Sequence, residues 1–365
     1  MGLAAMLRIG LDEMRRHWKL ALATSMLMAI SALATFVLVG YRAGLARAFD
    51  DLGRPYLVVQ EENSMGEFLG SRMPMEVGQR LLAIGLSQVV PEVHTLVGTS
   101  SENAMMLRGV DLSQYRETEA FSMIAGNPLA VGSVPRSAMI GSLLAERLQV
   151  GPGQVMRIRG RDFTVVGVFE TRTYIDNEAW TSLEDAQDLL GWGSDVSVFV
   201  VPDEGFLHEG DALPGGIAVA RRGESGRQLS EHLSPLVDLF AVIARALAVA
   251  SALALGNVLW RLAWIRRREL AILRSVGFQD WALVWYLLVQ AAVITALGVA
   301  FGALGTVALG PVLHIAGAGL TMKPEFDVRT IAIGLTAVGA VMLGGTILPA
   351  LWVGQMNLAR LLRVE

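Results

Sequence analysis

Four long apolar stretches limit this chain to folds that cross a membrane. The first, Leu20 to Gly40, has no charged residue. As a helix with a rise of about 1.5 Å per residue it covers about 30 Å, the thickness of the hydrocarbon core of a bilayer. Further spans are expected at Ala246 to Ile265, at about Ala282 to Leu309 and at Thr330 to Trp352. The sequence therefore predicts four transmembrane helices.

Basic residues near the span ends predict which side of the membrane each end occupies. They concentrate on one side, and an excess of Lys and Arg marks the cytoplasmic face. Both termini are therefore expected in the cytoplasm, with residues 1–19 forming an amphipathic helix on that face and the first span retained as an anchor. The residues assigned to the cytoplasmic side are Arg8, Arg15, Arg16, Lys19, Arg266, Arg267, Arg268, Arg274, Arg360 and Arg363.

The long segment between the first two spans predicts an extracytoplasmic α+β domain. A mean hydropathy of +0.48 with 18% charged residues fits a mixture of spans and a folded domain. Because cysteine is absent, this domain needs a core of its own without disulfides. Ser182 to Gly191 predicts a helix with Ser182 as N-cap and Asp185 at its third position. Strands are predicted at Tyr56 to Gln60, Met156 to Gly160, Phe163 to Phe169 and Val196 to Val201.

The sequence predicts no catalytic residue, no metal and no cofactor bound by this chain. A phosphate-binding loop ends in Gly-Lys-Ser/Thr, but the two lysines, Lys19 and Lys323, do not follow a glycine. The five histidines lie far apart, and none has a metal-ligand partner at helical spacing. A net charge of −4 gives no support to a nucleic-acid partner. Any ATP hydrolysis must therefore come from another chain.

Three glycines in the third span, Gly298, Gly302 and Gly305, are candidates for close helix packing. They lie about one turn apart on one face, and small residues at this spacing let two helices approach closely. The face is explained about equally well by packing within one chain and by contact between two copies.

Two charged residues, Asp238 and Arg245, interrupt the apolar sequence before the second span. One interpretation makes them a gating or inter-helix pair, and the plainer one makes them charges at the membrane interface. Gln228 to Arg245 is expected to continue the second transmembrane helix outward as a stalk.

Three segments of the sequence resemble one family. NVLWRLAWIRRRELAILRSVGFQDWAL, Asn257 to Leu283, is similar to the junction of the second and third spans in FtsX-type permeases, in particular the MacB-like subunits of ABC systems. MIGSLLAERLQVGPGQVMRIRGRDFTVVGVF, Met139 to Phe169, resembles the part of the family's core domain where Gly-x-x-Leu-Ala-x-x-Leu-x-Val-x-x-Gly leads into two strands. WTSLEDAQDLLG, Trp180 to Gly191, resembles the helix that follows.

The resemblance implies a permease subunit in the bacterial inner membrane, not itself an enzyme. It implies a dimer of permeases, homodimeric or heterodimeric, with cognate ABC ATPase subunits that hold ATP and Mg. ATP-driven closure would be transmitted along the stalk to the core domain, for export or extraction of a hydrophobic or amphiphilic substrate. A membrane-fusion adaptor is a further possible partner, beside membrane lipid. The alternative is an FtsX-like complex that activates a cell-wall hydrolase.

The charged junction is the expected contact with the ATPase. Arg266 to Arg268 would hold the end of the second span at anionic headgroups. Glu269 to Val276 would form a short helix that presents apolar side chains to the ATPase or the membrane, before a turn at Gly277. The alternative is a purely topological loop. The predicted coupling residues are Arg266, Arg267, Arg268, Glu269, Leu270, Ile272, Leu273, Arg274 and Gly277.

The expected domain organisation alternates membrane and aqueous segments. Spans are assigned to residues 20–41, 236–265 with the end of the stalk, 281–309 and 330–352. The α+β domain with its stalk takes residues 42–235, and the cytoplasmic coupling segment takes 266–280. Residues 1–19 and 353–365 are the cytoplasmic ends, and 310–329 form a short extracytoplasmic loop.

Overall fold

The chain divides into two units. A computed structural model describes residues 15–50, 56–64, 70–99, 104–118, 120–221, 224–275, 280–310, 312–317 and 320–354. The membrane unit comprises Met1–Ala43, Pro235–Leu313 and Lys323–Glu365, and the α+β domain comprises Gly44–Ser234 and His314–Met322. Most of the predicted amphipathic helix at 1–19 and of the tail at 353–365 therefore lies outside the described residues.

Helices of very different length serve the two units. Four short ones, of four to eight residues, belong to the α+β domain, which also has a 3-10 turn at Tyr174–Asn177, whereas the nine-residue helix Arg267–Ser275 belongs to the membrane unit. In chain order the helices within the described residues are α1 (Trp18–Asp50), α2 (Glu76–Ala83), α3 (Tyr115–Thr118), α4 (Ser142–Leu148), α5 (Leu183–Leu190), α6 (Glu224–Ile265), α7 (Arg267–Ser275), α8 (Asp280–Leu309) and α9 (Val328–Gly354).

Four helices of the membrane unit are long and apolar enough to cross a bilayer. The qualifying stretches are Trp18–Ala46, Val237–Ile265, Leu283–Leu309 and Val328–Val353. The prediction of four membrane-spanning helices is thereby confirmed. Their buried side chains form one apolar cluster, which includes Met28, Ala32 and Phe36 of α1, Leu255 and Leu259 of α6, Leu287 and Ile294 of α8, and Val338 of α9.

The α+β domain is built on one mixed sheet. In chain order the strands are β1 (Tyr56–Glu61), β2 (Val90–Val97), β3 (Met105–Val110), β4 (Ser122–Gly126), β5 (Ser137–Gly141), β6 (Val155–Ile158), β7 (Arg161–Glu170), β8 (Glu178–Ser182), β9 (Val198–Pro202), β10 (Ala212–Leu213) and β11 (Ile217–Arg221). Their order in the sheet is β10-β11-β1-β9-β2-β3-β8-β5-β7-β4, and β6 pairs with β7. The pairs β3 with β8 and β5 with β7 are parallel, and the other pairs are antiparallel.

Several of these strands and helices were predicted from local sequence patterns. The four predicted strands are present as β1, β6, β7 and β9, with ends shifted by at most two residues. The predicted cap of α5 is also confirmed, because the Ser182 hydroxyl accepts a hydrogen bond from the Asp185 amide at 3.1 Å. Gly191 ends the helix in the left-handed region, at φ +67°, where glycine carries no steric penalty. A mixed domain between the first two spans is therefore established.

Candidate coupling segment and stalk

The charged junction forms a short helix that follows α6 almost without a break. The Arg266 amide still donates to the Leu262 carbonyl at 3.2 Å, and the Leu270 amide donates to the Arg266 carbonyl at 3.0 Å. Only Arg266 itself departs from helical geometry, between the end of α6 and the start of α7. The two helices are therefore joined by a single residue without a break in the chain of backbone hydrogen bonds.

Two contacts fix the arginines at the start of this segment. The Arg266 guanidinium pairs with the Glu269 carboxylate at 2.9 Å, one turn further along. The Arg267 guanidinium lies over the ring of Trp264, 4.3 Å from its centre, in a cation–π contact. Arg268 is exposed and Arg274 is half-buried. The positive charge of the junction is thus held against the end of α6, where interfacial tryptophans are common.

The apolar residues of the segment lie on different faces. Leu270 and Ala271 are buried, with Leu270 in the apolar cluster of the membrane unit beside Leu283. Ile272 is 52% exposed, because it follows the buried Leu270 by two residues and so points about 200° away from it around the helix. Leu270 therefore packs within the membrane unit, whereas Ile272 is exposed, and a coupling role for either residue stays a prediction. The Leu273 side chain and Gly277 lie outside the described residues.

The two charges near the stalk do not pair with each other. Asp238 of α6 lies 3.5 Å from the guanidinium of Arg42 on α1. The side chains of Arg42 and Asp238 are 53% and 70% exposed, and Arg245 is exposed with no ion pair among the described residues. An Asp238–Arg245 pair is thus not formed. Asp238 instead makes an exposed contact between α6 and α1, and the roles of Asp238 and Arg245 stay a prediction.

The glycine face of α8 packs against α1 of the same chain. A Cβ atom added at Gly298 would lie 2.5 Å from the Cβ of Met28, and one at Gly302 would lie 2.8 Å from the Cβ of Ala32. At Gly305 the nearest α1 side chain would be 2.8 Å away. These approaches leave no room for a methyl group, and they correspond to the single-chain alternative for this face.

A buried cluster of charges in the α+β domain was missed in the sequence. Arg108 of β3 lies 2.8 Å from Glu178 of β8, which also accepts a hydrogen bond from the Trp180 indole at 2.7 Å. Glu92 of β2 lies 2.7 Å from His94 and 3.5 Å from Arg108. All five side chains are at most 2% exposed. Within the described ranges no group of His, Asp and Glu has the arrangement of a metal site.

The α+β domain also contains an open cavity of about 540 Å³. Its rim carries two strongly exposed apolar residues, Val131 and Val134. Glu184 and Asp185, in the first turn of α5, contribute carboxylates. Its volume lies in the range of sites that bind small molecules, about 300–1,000 Å³. The walls of the cavity therefore combine apolar and acidic side chains.

A hairpin from the loop between α8 and α9 belongs to the α+β domain. It consists of β12 (Ile315–Gly317) and β13 (Leu320–Met322). The buried amide of Asn177 donates to the Thr321 carbonyl at 3.2 Å and accepts from the Thr321 amide at 2.6 Å. Arg147 of α4 donates to the Thr321 hydroxyl at 3.0 Å. The predicted loop at 310–329 is therefore partly a strand pair attached to this domain.

Comparison with protein families assigns the chain. The family described as "MacB-like periplasmic core domain" matches residues 21–210, more than half of the chain. The description "FtsX-like permease C-terminal" matches residues 241–358. The chain belongs to the MacB-like, FtsX-type family of ABC transporter permeases. The resemblance noted in the sequence is confirmed, and a permease of this family works with an ABC ATPase.

Several known proteins are similar to this MacB-like permease. An uncharacterized ABC transporter permease of Mycobacterium bovis is 23% identical over 301 residues, which cover 79% of this chain and 80% of that protein. The crystal structure of the extracellular domain of the noncanonic ABC-type transporter YknZ from Gram-positive bacteria covers 41% of this chain and 83% of its own, at 18% identity and TM-score 0.33. The periplasmic region of MacB from Actinobacillus actinomycetemcomitans covers 51% of this chain and 97% of its own, at 12% identity and TM-score 0.36.

Proposed function

We propose that this permease transmits ATP-driven movement mechanically from a separate ATPase to its α+β domain. The observation that carries the proposal is the continuous helix α6. It begins three residues after β11 ends, runs for 42 residues and is followed directly by α7. Its residues add up to about 63 Å of helical rise, about twice the thickness of the hydrocarbon core, with Pro235 inside the helix where the membrane unit begins. Such a helix can act as a lever between the coupling segment and the domain.

In the proposed assembly, α7 is the surface that the ATPase moves. Ile272 offers an exposed apolar side chain beside the exposed Arg268, while Leu270 anchors the same helix in the membrane unit. A force on the exposed face of α7 would therefore reach the bundle core and α6. Two permease copies, identical or different, would provide two such surfaces, with the termini and α7 on the cytoplasmic side of the inner membrane.

We further propose that the transported substrate is hydrophobic or amphiphilic. The four spans offer few charged side chains for a hydrophilic route. The cavity beside Val131 and Val134 supports a cargo with an apolar part, and the carboxylate of Glu184 suits a cationic one. Export or extraction from the outer leaflet, with an adaptor where one is needed, fits these properties. Activation of a cell-wall hydrolase is the competing outcome.

The coupling role is tested with Ile272→Asp in vesicles that contain the permease and its cognate ATPase. Burying a carboxylate in an apolar contact costs roughly 1–3 kcal/mol or more, so we expect stimulation of ATP hydrolysis by the permease to fall about tenfold. The matched control is Ile84→Asp, the same change at a 47% exposed isoleucine of the α+β domain. It should leave stimulation unchanged. Equal stimulation by Ile272→Asp and wild type would contradict the coupling role.

Movement of the α+β domain is tested separately with a spin label. Because the chain contains no cysteine, Val131→Cys gives a single labelling site. In the dimer, the distance between the two labels should change when ATP is trapped on the ATPase, and Ile272→Asp should suppress the change. An unchanged distance in the wild type would contradict mechanical transmission. Efflux of an amphiphilic dye, measured against hydrolase activity, then separates transport from the FtsX-like alternative.

A further inference from the structure

A basic cavity lies between the start of α1 and the end of α6, in the membrane unit. Its volume is about 320 Å³, and its walls include Arg16, His17 and Lys19 on one side and Arg261 on the other. Among the described residues, no acidic side chain lines it. Arg16, Lys19 and Arg261 bring three positive charges to one small space, and such charges repel one another unless an anion lies between them.

The cations of this cavity have no counterion among the described residues, which begin at Arg15. There, Arg16, Lys19 and Arg261 make no hydrogen bond or ion pair, and the Lys19 ammonium lies over the Trp18 ring at 5.9 Å. This contrasts with Arg266 and Arg267 nearby, whose guanidinium groups contact Glu269 and Trp264. The unpaired side chains therefore point to an external anionic ligand.

The depth of Arg261 identifies the kind of anion. Arg261 precedes the end of the second span, Ile265, by four residues, so its Cα lies about 6 Å inside the apolar stretch. An arginine at this depth extends toward the headgroup layer, where lipid phosphates lie. Basic pockets between transmembrane helices at the cytoplasmic side suit anionic lipid headgroups. We propose that this cavity binds the phosphate group of an anionic phospholipid.

An apolar stripe on α1 provides a place for the acyl chain. Trp18 lines the cavity, and Leu22, Met26 and Ile30 follow it at intervals of four residues. All four side chains are exposed, from 41% to 56%, and this spacing places them on one face of the helix. The stripe is about 18 Å long. A headgroup in the cavity would therefore have its acyl chain along this face. The volume of the cavity fits a phosphate headgroup and excludes a whole lipid.

The proposal is tested on the purified full-length permease by counting bound lipids with native mass spectrometry. Phosphatidylglycerol and phosphatidylcholine are the two probes, since they differ in net charge and share the phosphate. We expect the wild type to retain phosphatidylglycerol in preference. Arg261→Gln and Arg16→Gln should each weaken its binding about fivefold, which corresponds to about 1 kcal/mol per basic residue. Arg329→Gln, the same charge change outside the cavity, should leave it unchanged.

Two further measurements, with a conservative variant and with a competing anion, test the lipid assignment. Arg261→Lys keeps the positive charge and should retain most of the binding, which separates loss of charge from damaged packing. Inorganic phosphate is added as a competitor at the concentration of the lipid. Displacement of phosphatidylglycerol by inorganic phosphate would assign the site to a soluble anion and overturn the lipid proposal. Equal retention of the two lipids, or an equal loss of binding in Arg329→Gln, would also overturn it.

Discussion

The guanidinium of Arg108 and the carboxylate of Glu178 form a two-point ion pair in the α+β domain, with atom separations of 2.8 and 3.0 Å. Both side chains are at most 1% exposed. The pair links β3 to β8, one of the two parallel strand pairs of the sheet. Charges removed from water to this degree are tolerated only when each has a partner, so the two residues depend on each other.

Removing Glu178 should destabilise the α+β domain strongly. Glu178→Ala removes the closer of the two buried carboxylates beside Arg108 and the acceptor of the Trp180 indole, and we expect a loss of about 3–5 kcal/mol in the free energy of unfolding. Denaturant unfolding of the detergent-solubilised chain measures it. Asp162→Ala is the control, because its pair with Arg157 is exposed and should contribute at most about 1 kcal/mol. Similar losses in the two variants would contradict the prediction.

Adding one methyl group at Gly302 should separate α8 from α1. In Gly302→Ala the new Cβ would lie 2.8 Å from the Cβ of Ala32, and relieving this overlap should cost about 1–3 kcal/mol. The thermal midpoint of the solubilised permease measures the loss. The control is Gly339→Ala on α9, where a Cβ would meet no atom within 4 Å. If Gly302→Ala abolished dimer formation with an unchanged midpoint, the glycine face would belong to an interface between copies instead.

The stability of the α+β domain should depend on the protonation of Asp176. Burial raises the pKa of this carboxyl above its usual 3.8, and the hydrogen bonds from Thr171 and Arg172 oppose the shift only in part. A folded-state pKa above the unfolded one means that the protonated form favours folding. The stabilisation is complete below the unfolded pKa and is lost as the pH rises through the folded one.

Comparison with a neutral side chain isolates this effect. The unfolding free energy of the wild type should fall, relative to Asp176→Asn, as the pH rises from below 3.8 through the folded-state pKa. Unfolding curves at a series of pH values measure this difference. Asp162→Asn, at a side chain that is 69% exposed, serves as the control. A difference between wild type and Asp176→Asn that does not change with pH would contradict the prediction.

Features that depend on neighbouring residues could be predicted from the sequence. The spans follow from uninterrupted apolar runs, and the start of α5 follows from Ser182 and Asp185, three residues apart. The same holds for β1, β6, β7 and β9, whose alternation and turns are local signals. The family resemblance also rested on continuous segments of the sequence. It supplied an expected function, which no single motif could give.

Features that depend on distant residues could not be predicted. Glu92 and His94 stand two positions apart, as do Glu178 and Trp180, so each pair shares one face of a strand. That spacing was the available signal. Which strands are neighbours is decided by the order of the sheet, which the sequence does not show. Only that order brings the side chains of β2, β3 and β8 together. The burial of Leu270 could not be predicted for a related reason, since the helix face that the bundle buries depends on α6 and α8.

The hairpin of β12 and β13 means that the α+β domain is not encoded by one continuous segment. The chain contributes to this domain twice, once between α1 and α6 and once between α8 and α9. The Asn177–Thr321 hydrogen bonds join the second contribution to the first. A fragment limited to Gly44–Ser234 would therefore leave the buried Asn177 amide without both of its Thr321 backbone partners, so an isolated domain needs the hairpin as well.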